Sequence, residues 1–424
     1  MHGKEEVLRE TEKFMKTEYM RLNTILSRLI VVAMRYFPVA ENMSIILTLA
    51  RAEDCQRGRV TAHTYQRFDP CGKLIGYGIE INPYRTVLLP DGVVAHIIGH
   101  EVSHCVNNDI DSAKCLNRLL AVSLPIRIND SGLRADVDML TALSDSLARS
   151  REYKADFLGT TLAVEAGFLL DRKGLDSIDK FSGYTNNRRS YVLTLNPIFR
   201  RFDFNLLREN IHPVSVLRSK VIKEAIQNKM FTVKEPLPYY NGWRLGNMYG
   251  NYRNGKISKE KLGQFGETVL KDALAVLQFL VDYNLKRLEG LKAKPVTSPK
   301  LVIDAILRLE EISASYQNRW KNGNCCESLQ PVRDLYDAQY DVLKQVIAML
   351  RMQAGELGTK SVKELSQIYF SYFNANKCYR VEPCYPVITT TPVGREEMAE
   401  AVDEFYDKKD LILELEKGQG KLYV

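Results

Sequence analysis

The sequence predicts a mostly α-helical chain with a small β-sheet near its N-terminus, an α+β arrangement weighted toward helix. Three observations carry this reading. Long stretches place apolar residues three and four apart, the period of a helix with one buried face. One short stretch alternates strictly between apolar and small or polar residues, the period of a strand. Beyond residue 256 of the 424, helical stripes continue with no strand pattern among them.

Residues 4–36 contain no Pro or Gly, and Val7, Phe14, Leu22, Ile25, Leu29 and Val32 recur at helical spacing until Pro38 ends the run. Ser44 to Ala50 reads as a short buried strand. Ile75, Tyr77, Ile79 and Ile81 alternate with Gly76, Gly78 and Glu80, and Pro83 stops this second strand. Its glycines leave the backbone approachable. Val93 to Val106 reads as a buried helix. Two helices are expected next, at about 133–148 and 150–166, the second stopped by Gly167. Pro213 opens another in the tolerated first-turn position, running to about residue 230. Residues 231–256 are rich in Gly, Asn and aromatics and read as a loop or linker. After them, Leu262, Phe265, Val269, Ala273, Val276 and Leu280 form one stripe, and Val332, Leu335, Val342, Val346 and Leu350 another. Such stripes are bundle core. The expected organisation is a first domain at 1–232, a Gly/aromatic loop at 233–256 and a helical C-terminal domain at 257–424.

Composition narrows the class. With 45% hydrophobic and 26% charged residues the chain is built to bury a core, which argues against disorder. The net charge of +7 permits an anionic partner without arguing for one. The basic stretch Arg188, Arg189, Arg200 and Arg201 and the acidic tail from Glu396 to Glu416 read as solvated faces. The N-terminus is charged from the start, so no signal peptide is expected. The apolar stretch Leu29 to Met34 falls far short of the ~20 residues a bilayer span needs, and no transmembrane span is expected. The cysteines Cys55, Cys71, Cys105, Cys115, Cys325, Cys326, Cys378 and Cys384 form no CxxC pair. Dispersed in this way they suggest reduced thiols and a cytoplasmic location. Only Cys378 and Cys384 are spaced for a disulfide or metal clip.

The chemistry concentrates in one segment. Of six histidines, His96, His100 and His104 fall on successive turns of one apolar run. Residues four apart share a helix face, so His100 and His104 can present two imidazole nitrogens to one Zn²⁺. Glu101 is rotated by about 100° from His100 and can take a proton from a metal-activated water rather than ligate. Histidines and a glutamate buried among valines and isoleucines are costly without partners, and a metal supplies one. A catalytic zinc site also needs a third protein ligand and an open position. Glu152 and Asp156, four apart, can supply a ligand and a carboxylate that orients a ligand histidine. His96 reads as a supporting core histidine. The competing pair His96 and His100 lacks a glutamate between them, because position 97 is Ile.

The run HEVSH at His100–His104, followed by Glu152, Ala155 and Asp156 in an ExxAD pattern, resembles the HtpX-like and CAAX prenyl endopeptidase-like gluzincins. The segment from His212 and Pro213 to Arg218 is similar to that family's HP-x-x-x-x-R element. The resemblance spans about residues 70–230. It implies a gluzincin-type metallopeptidase domain with one zinc ion held by His100, His104 and Glu152, and Glu101 as the general base. It further implies that His212 donates a hydrogen bond to the oxyanion, and that Arg218 ties its helix to the site by pairing with Asp156. A peptide or protein substrate is expected to lie extended along the strand at Tyr77, Gly78 and Ile79. Many relatives carry membrane spans, and this chain is expected to be a soluble member.

Two further readings compete. The chain could serve as a structural or interaction component of a large assembly, such as a phage particle, keeping the domain with little or no activity and locating to that assembly. Its helical half carries no chemical signature and offers a surface for a protein partner. Tyr239, Tyr240, Trp243, Arg244, Tyr249, Tyr252 and Arg253 interleave aromatic and basic residues in a way that can stack nucleic-acid bases. Without a strong basic excess no nucleic acid is expected, and these residues read as a loop packed on the domain.

Overall fold

A computed structural model of the chain describes most residues from 2 to 367, apart from 38–42, 51–61, 125–129, 171–195, 228–235, 320–324, 356–359 and a few single positions. Pro38, Arg188, Arg189, Arg200, Cys55, Cys378, Cys384 and the acidic tail at 396–416 lie outside the described residues. In chain order the elements are α1 (His2–Tyr36), β1 (Ser44–Leu49), β2 (Ala62–Phe68), β3 (Leu74–Ile81), the single turn α2 (Pro83–Thr86), α3 (Asp91–Asn107), α4 (Asp109–Ser123) and α5 (Asp130–Glu165). A 3-10 turn at Asn205–Arg208 leads to α6 (Ser215–Ile226), α7 (Gly242–Arg253), α8 (Lys259–Ala293), α9 (Pro299–Arg319) and α10 (Gln330–Gln353). Among the described residues, no helix is long and apolar enough to cross a membrane. The architecture is mostly α with one small sheet, as the periodicities indicate.

The sheet has the order β1-β3-β2, with β1 parallel and β2 antiparallel to β3. One face of it packs on α1 and α3. Leu22, Ile25, Leu26, Leu29 and Val32 of α1 meet Leu47, Tyr77, Ile79 and Ile81 of the sheet and Val94, Ile98, Val102 and Cys105 of α3 in one apolar cluster. The α3 helix is buried on nearly every side, which explains its continuous apolar run. A second, larger core joins Leu116, Leu119 and Leu120 of α4 and Met139, Leu143 and Leu147 of α5 to the apolar faces of α8, α9 and α10. The helical half is thus packed directly on helices of the first half.

Five expectations need correction. β3 is the central strand, so the substrate-strand residues Tyr77, Gly78 and Ile79 have no free edge to offer a peptide. They are buried, and the space over Gly78 is filled by the Tyr65 ring of β2. The two helices expected at 133–148 and 150–166 are one, α5. Nothing between them breaks a helix, and the Ser146 and Ser150 hydroxyls donate back to the carbonyls of Leu143 and Leu147 instead of competing for the backbone. The stop at Gly167 holds: its φ of +79° takes the left-handed form, and the Gly167 and Phe168 amides donate to Val164 and Ala163. The helix after Pro213 begins at Ser215. Residues 242–253, expected as loop, form α7, started by Asn241, whose side chain accepts from the Arg244 amide. The Ser44–Leu49 strand is mostly half-buried, with Leu47 its buried residue.

Candidate active site

Three elements assemble the site. α3 supplies His100, Glu101 and His104, α5 supplies Glu152 and Asp156, and the segment before α6 supplies His212. α3 and α5 cross where Gly99 faces Gly159, and a methyl group on either glycine would strike the other helix's backbone. This close approach brings the Glu152 carboxylate over the two imidazoles. Ligand atoms of His100, His104 and Glu152 all lie within 4.8 Å of one another. His100 Nε2 is 3.1 Å from His104 Nε2, and Glu152 Oε2 and Oε1 lie 3.4 and 3.5 Å from those two nitrogens. His212 Nε2 is 3.2 Å from Glu152 Oε2.

The other nitrogen of each ring faces a carboxylate. His100 Nδ1 lies 2.9 Å from Asp156 Oδ1, and His104 Nδ1 lies 2.9 Å from Asp109 Oδ2. An ionised carboxylate only accepts, so each Nδ1 carries a proton, which leaves each Nε2 as the nitrogen that can turn a lone pair to a metal ion. Two lone pairs 3.1 Å apart repel unless a cation lies between them. Bonds of about 2.0–2.1 Å at a tetrahedral angle separate two donor nitrogens by about 3.4 Å, close to the spacing seen. Glu152 Oε2 is also buried without a hydrogen bond. The donor set therefore fits a divalent metal ion of the zinc type.

Electrostatics agree. Burial alone would raise the Glu152 pKa, but His212, His104 and His100 outweigh it and hold the carboxyl well below its usual range. Burial opposes charge on Asp156 too, yet Arg218 and His100 hold it ionised. Arg218 Nε and Nη2 reach its two oxygens at 2.7 and 2.6 Å, the bidentate geometry that guanidinium and carboxylate favour. For His100, burial disfavours the cation, but Asp156 and Glu152 prevail and raise the pKa, so these carboxylates draw positive charge to the ring, a proton on Nε2 or a metal ion in its place. His212 goes the other way: burial lowers its pKa despite Glu152, leaving a neutral ring. His96 is pushed down to about 3, by burial first, and packs beside this pair with Nδ1 3.0 Å from the Thr160 hydroxyl. It stands behind the metal-facing nitrogens, against Asp156.

Glu101 is buried next to the edge strand β2, where the Thr64 hydroxyl donates to its Oε2 at 2.6 Å. Sequence reading missed both Thr64 and Asp109. Asp109 follows His104 by five residues in the same run, and Asn108 between them adopts a left-handed turn (φ 52°) that folds the carboxylate back onto the ring. The aromatic residues at 239–243 close over this corner. Tyr239 donates to Asp109 Oδ1 at 3.4 Å, Trp243 Nε1 donates to the Val106 carbonyl, and Tyr240 is buried. Tyr77 reaches the same corner from below, donating to Asn108 Oδ1.

Residues 88–226 match the model of peptidase family M48. No curated protein and no solved structure matches the chain. The matched segment holds α3 to α6 entire, and so every residue of the His100, His104, Glu152 and His212 cluster. The match encloses the carboxylate-backed histidine pair, and over this segment the chain is similar to peptidase family M48, a gluzincin-type family of metallopeptidases.

Proposed function

We propose that the chain is a zinc-dependent endopeptidase whose site is formed by His100, His104 and Glu152 as metal ligands and Glu101 as general base. The observation that carries this reading is the convergence of two Nε2 atoms and a carboxylate oxygen without a hydrogen bond on one point. When bound there, zinc supplies a Lewis acid that polarises the scissile carbonyl and makes water a competent nucleophile near neutral pH.

The chain's own residues divide the remaining work. Asp156 and Asp109 fix the two ligand rings in the tautomer that leaves Nε2 free. Arg218 keeps Asp156 ionised and in place. Glu101 stands one residue along from His100 with one oxygen held by Thr64. That leaves its other oxygen to accept a proton from the attacking water and pass it to the leaving amine. His212, neutral and with Nε2 near the ligand cluster, donates a hydrogen bond where negative charge develops on the carbonyl oxygen. Because β3 is central, an extended peptide would pair with the outer edge of β2, the strand that carries Thr64.

The test is metal content. Purified full-length protein should hold one zinc per chain, and Glu152→Ala should lose it. A wild-type chain that binds no zinc at stoichiometric concentration would sink the proposal and favour a domain kept for assembly alone.

A further inference from the structure

The segment around His212 is held from the far side of the molecule. Asp203 is fully buried and receives Arg149 Nη2 at 2.6 Å and Nη1 at 3.4 Å. Its carboxylate also accepts the Val214 amide at 3.3 Å and the Asn205 amide at 3.4 Å. Asn205 in turn donates through Nδ2 to the His212 carbonyl at 2.7 Å. His212 and Val214 flank Pro213, so the residue on each side of a rigid proline is gripped. Arg149 belongs to α5, three residues before Glu152, and links the grip to the helix that carries a ligand.

The anchor of this grip lies outside the segment that matches the peptidase family. Asn284, on α8, is fully buried. Its Oδ1 accepts the Asp203 amide at 2.8 Å, and its Nδ2 donates to the Asp203 carbonyl at 2.9 Å. One amide side chain thus satisfies both backbone groups of the residue whose carboxylate holds Val214. A buried amide with donor and acceptor both engaged fixes its partner's position and orientation together.

We propose that Asn284 is a positioning residue for His212, so that the helical half of the chain is part of the catalytic apparatus through this contact. The inference rests on His212 acting at the oxyanion. Loss of Asn284 frees Asp203, and with it the backbone at His212 and Val214, to shift, whereas its hydrogen bonds go to Asp203 and not to His100, His104 or Glu152.

The experiment is a double-mutant cycle in the full-length, zinc-loaded chain, with fluorescently labelled casein as probe. Asn284→Ser, small enough to admit a water and preserve folding, should lower kcat by about 10- to 100-fold, the scale of a misplaced catalytic group. KM and zinc content should stay at wild-type values. In the His212→Phe background the same substitution should change kcat by less than about 2-fold, because coupled sites are not additive. Independently of activity, spectra of histidine-labelled protein should show the His212 ring resonance moved by Asn284→Ser and that of His63 unmoved. If His212→Phe loses activity while Asn284→Ser keeps wild-type kcat and an unmoved His212 resonance, Asn284 has no positioning role and the His212 assignment stands. Equal losses in both backgrounds overturn the proposal as well. If His212→Phe keeps full kcat, the oxyanion assignment itself is wrong and the proposal falls with it.

Discussion

Gly159→Ala tests how closely the site depends on one helix crossing. A Cβ at Gly159 would lie 2.4 Å from the His100 amide nitrogen, 2.7 Å from the Gly99 carbonyl carbon and 2.8 Å from the His100 Cα. All three are backbone atoms and cannot rotate away. Ordinary contact begins near 3.4 Å, so α3 and α5 must separate by roughly 1 Å, at a cost of about 1–3 kcal/mol for overpacking. Metal sites tolerate only about 0.2 Å in ligand distance. The clash falls on His100 itself, while Glu152 and Asp156 lie on the opposing helix, so the separation opens the site along its ligand axis. We expect zinc affinity, measured by chelator competition, to fall at least about 10- to 100-fold, as when a ligand's supporting group is lost. Thermal unfolding of the metal-free chain should show only the smaller overpacking cost. Unchanged zinc affinity in a folded variant would refute the idea that this crossing sets the ligand spacing.

Two other substitutions separate the roles of a buried and a partly buried carboxylate. Asp156→Asn should weaken zinc binding by about 10- to 100-fold through loss of the His100 tautomer lock, and chelator competition again measures it; wild-type affinity would show that His100 needs no carboxylate behind it. Asp145 is raised to about 6, chiefly by burial, with Arg319 pulling the other way. Its folded pKa exceeds the unfolded one, so the native state binds the proton more tightly. Stability from this group is present near pH 4 and lost as pH rises through about 6. Asp145→Asn should therefore gain on wild type by about 1–3 kcal/mol between pH 4.5 and pH 7, as the wild-type carboxyl gives up its proton. Urea unfolding at the two pH values measures this, and a gap between the variants that does not change with pH would contradict it.

Much of the site was legible because helical spacing converts directly into geometry. His100, Glu101, His104, Glu152 and Asp156 sit on two helices whose periodicity fixes which residues share a face. Arg218 and His212 became visible through motif resemblance, and they converge on the same cluster. Residues that act through a chain reversal stayed hidden. Asp109 reaches His104 only because Asn108 turns left-handed, and no periodicity signals that. Thr64 lies on β2, whose half-buried Thr, Tyr and Gln give no alternating apolar signal. The order of strands could not be read at all: alternation identifies β3 as a strand but does not say whether it is central, and there the expectation of a substrate edge failed. The segment at 242–253 was misread for its glycines, yet its capping Asn and its packing on α4 override a weak helix propensity. Asn284 lies beyond the apolar stripe that ends at Leu280, and only the tertiary fold shows what it holds.

In the proposed mechanism Glu101 removes a proton from water at a metal held by its neighbours. The most direct test is casein cleavage by Glu101→Gln at matched zinc content. The amide keeps the shape of the side chain and leaves His100, His104 and Glu152 untouched, but it cannot accept the proton. One zinc per chain is expected in both proteins, with cleavage by the variant reduced by at least about 100-fold, the contribution of a general base. A zinc-loaded variant that cleaves at the wild-type rate would contradict that mechanism.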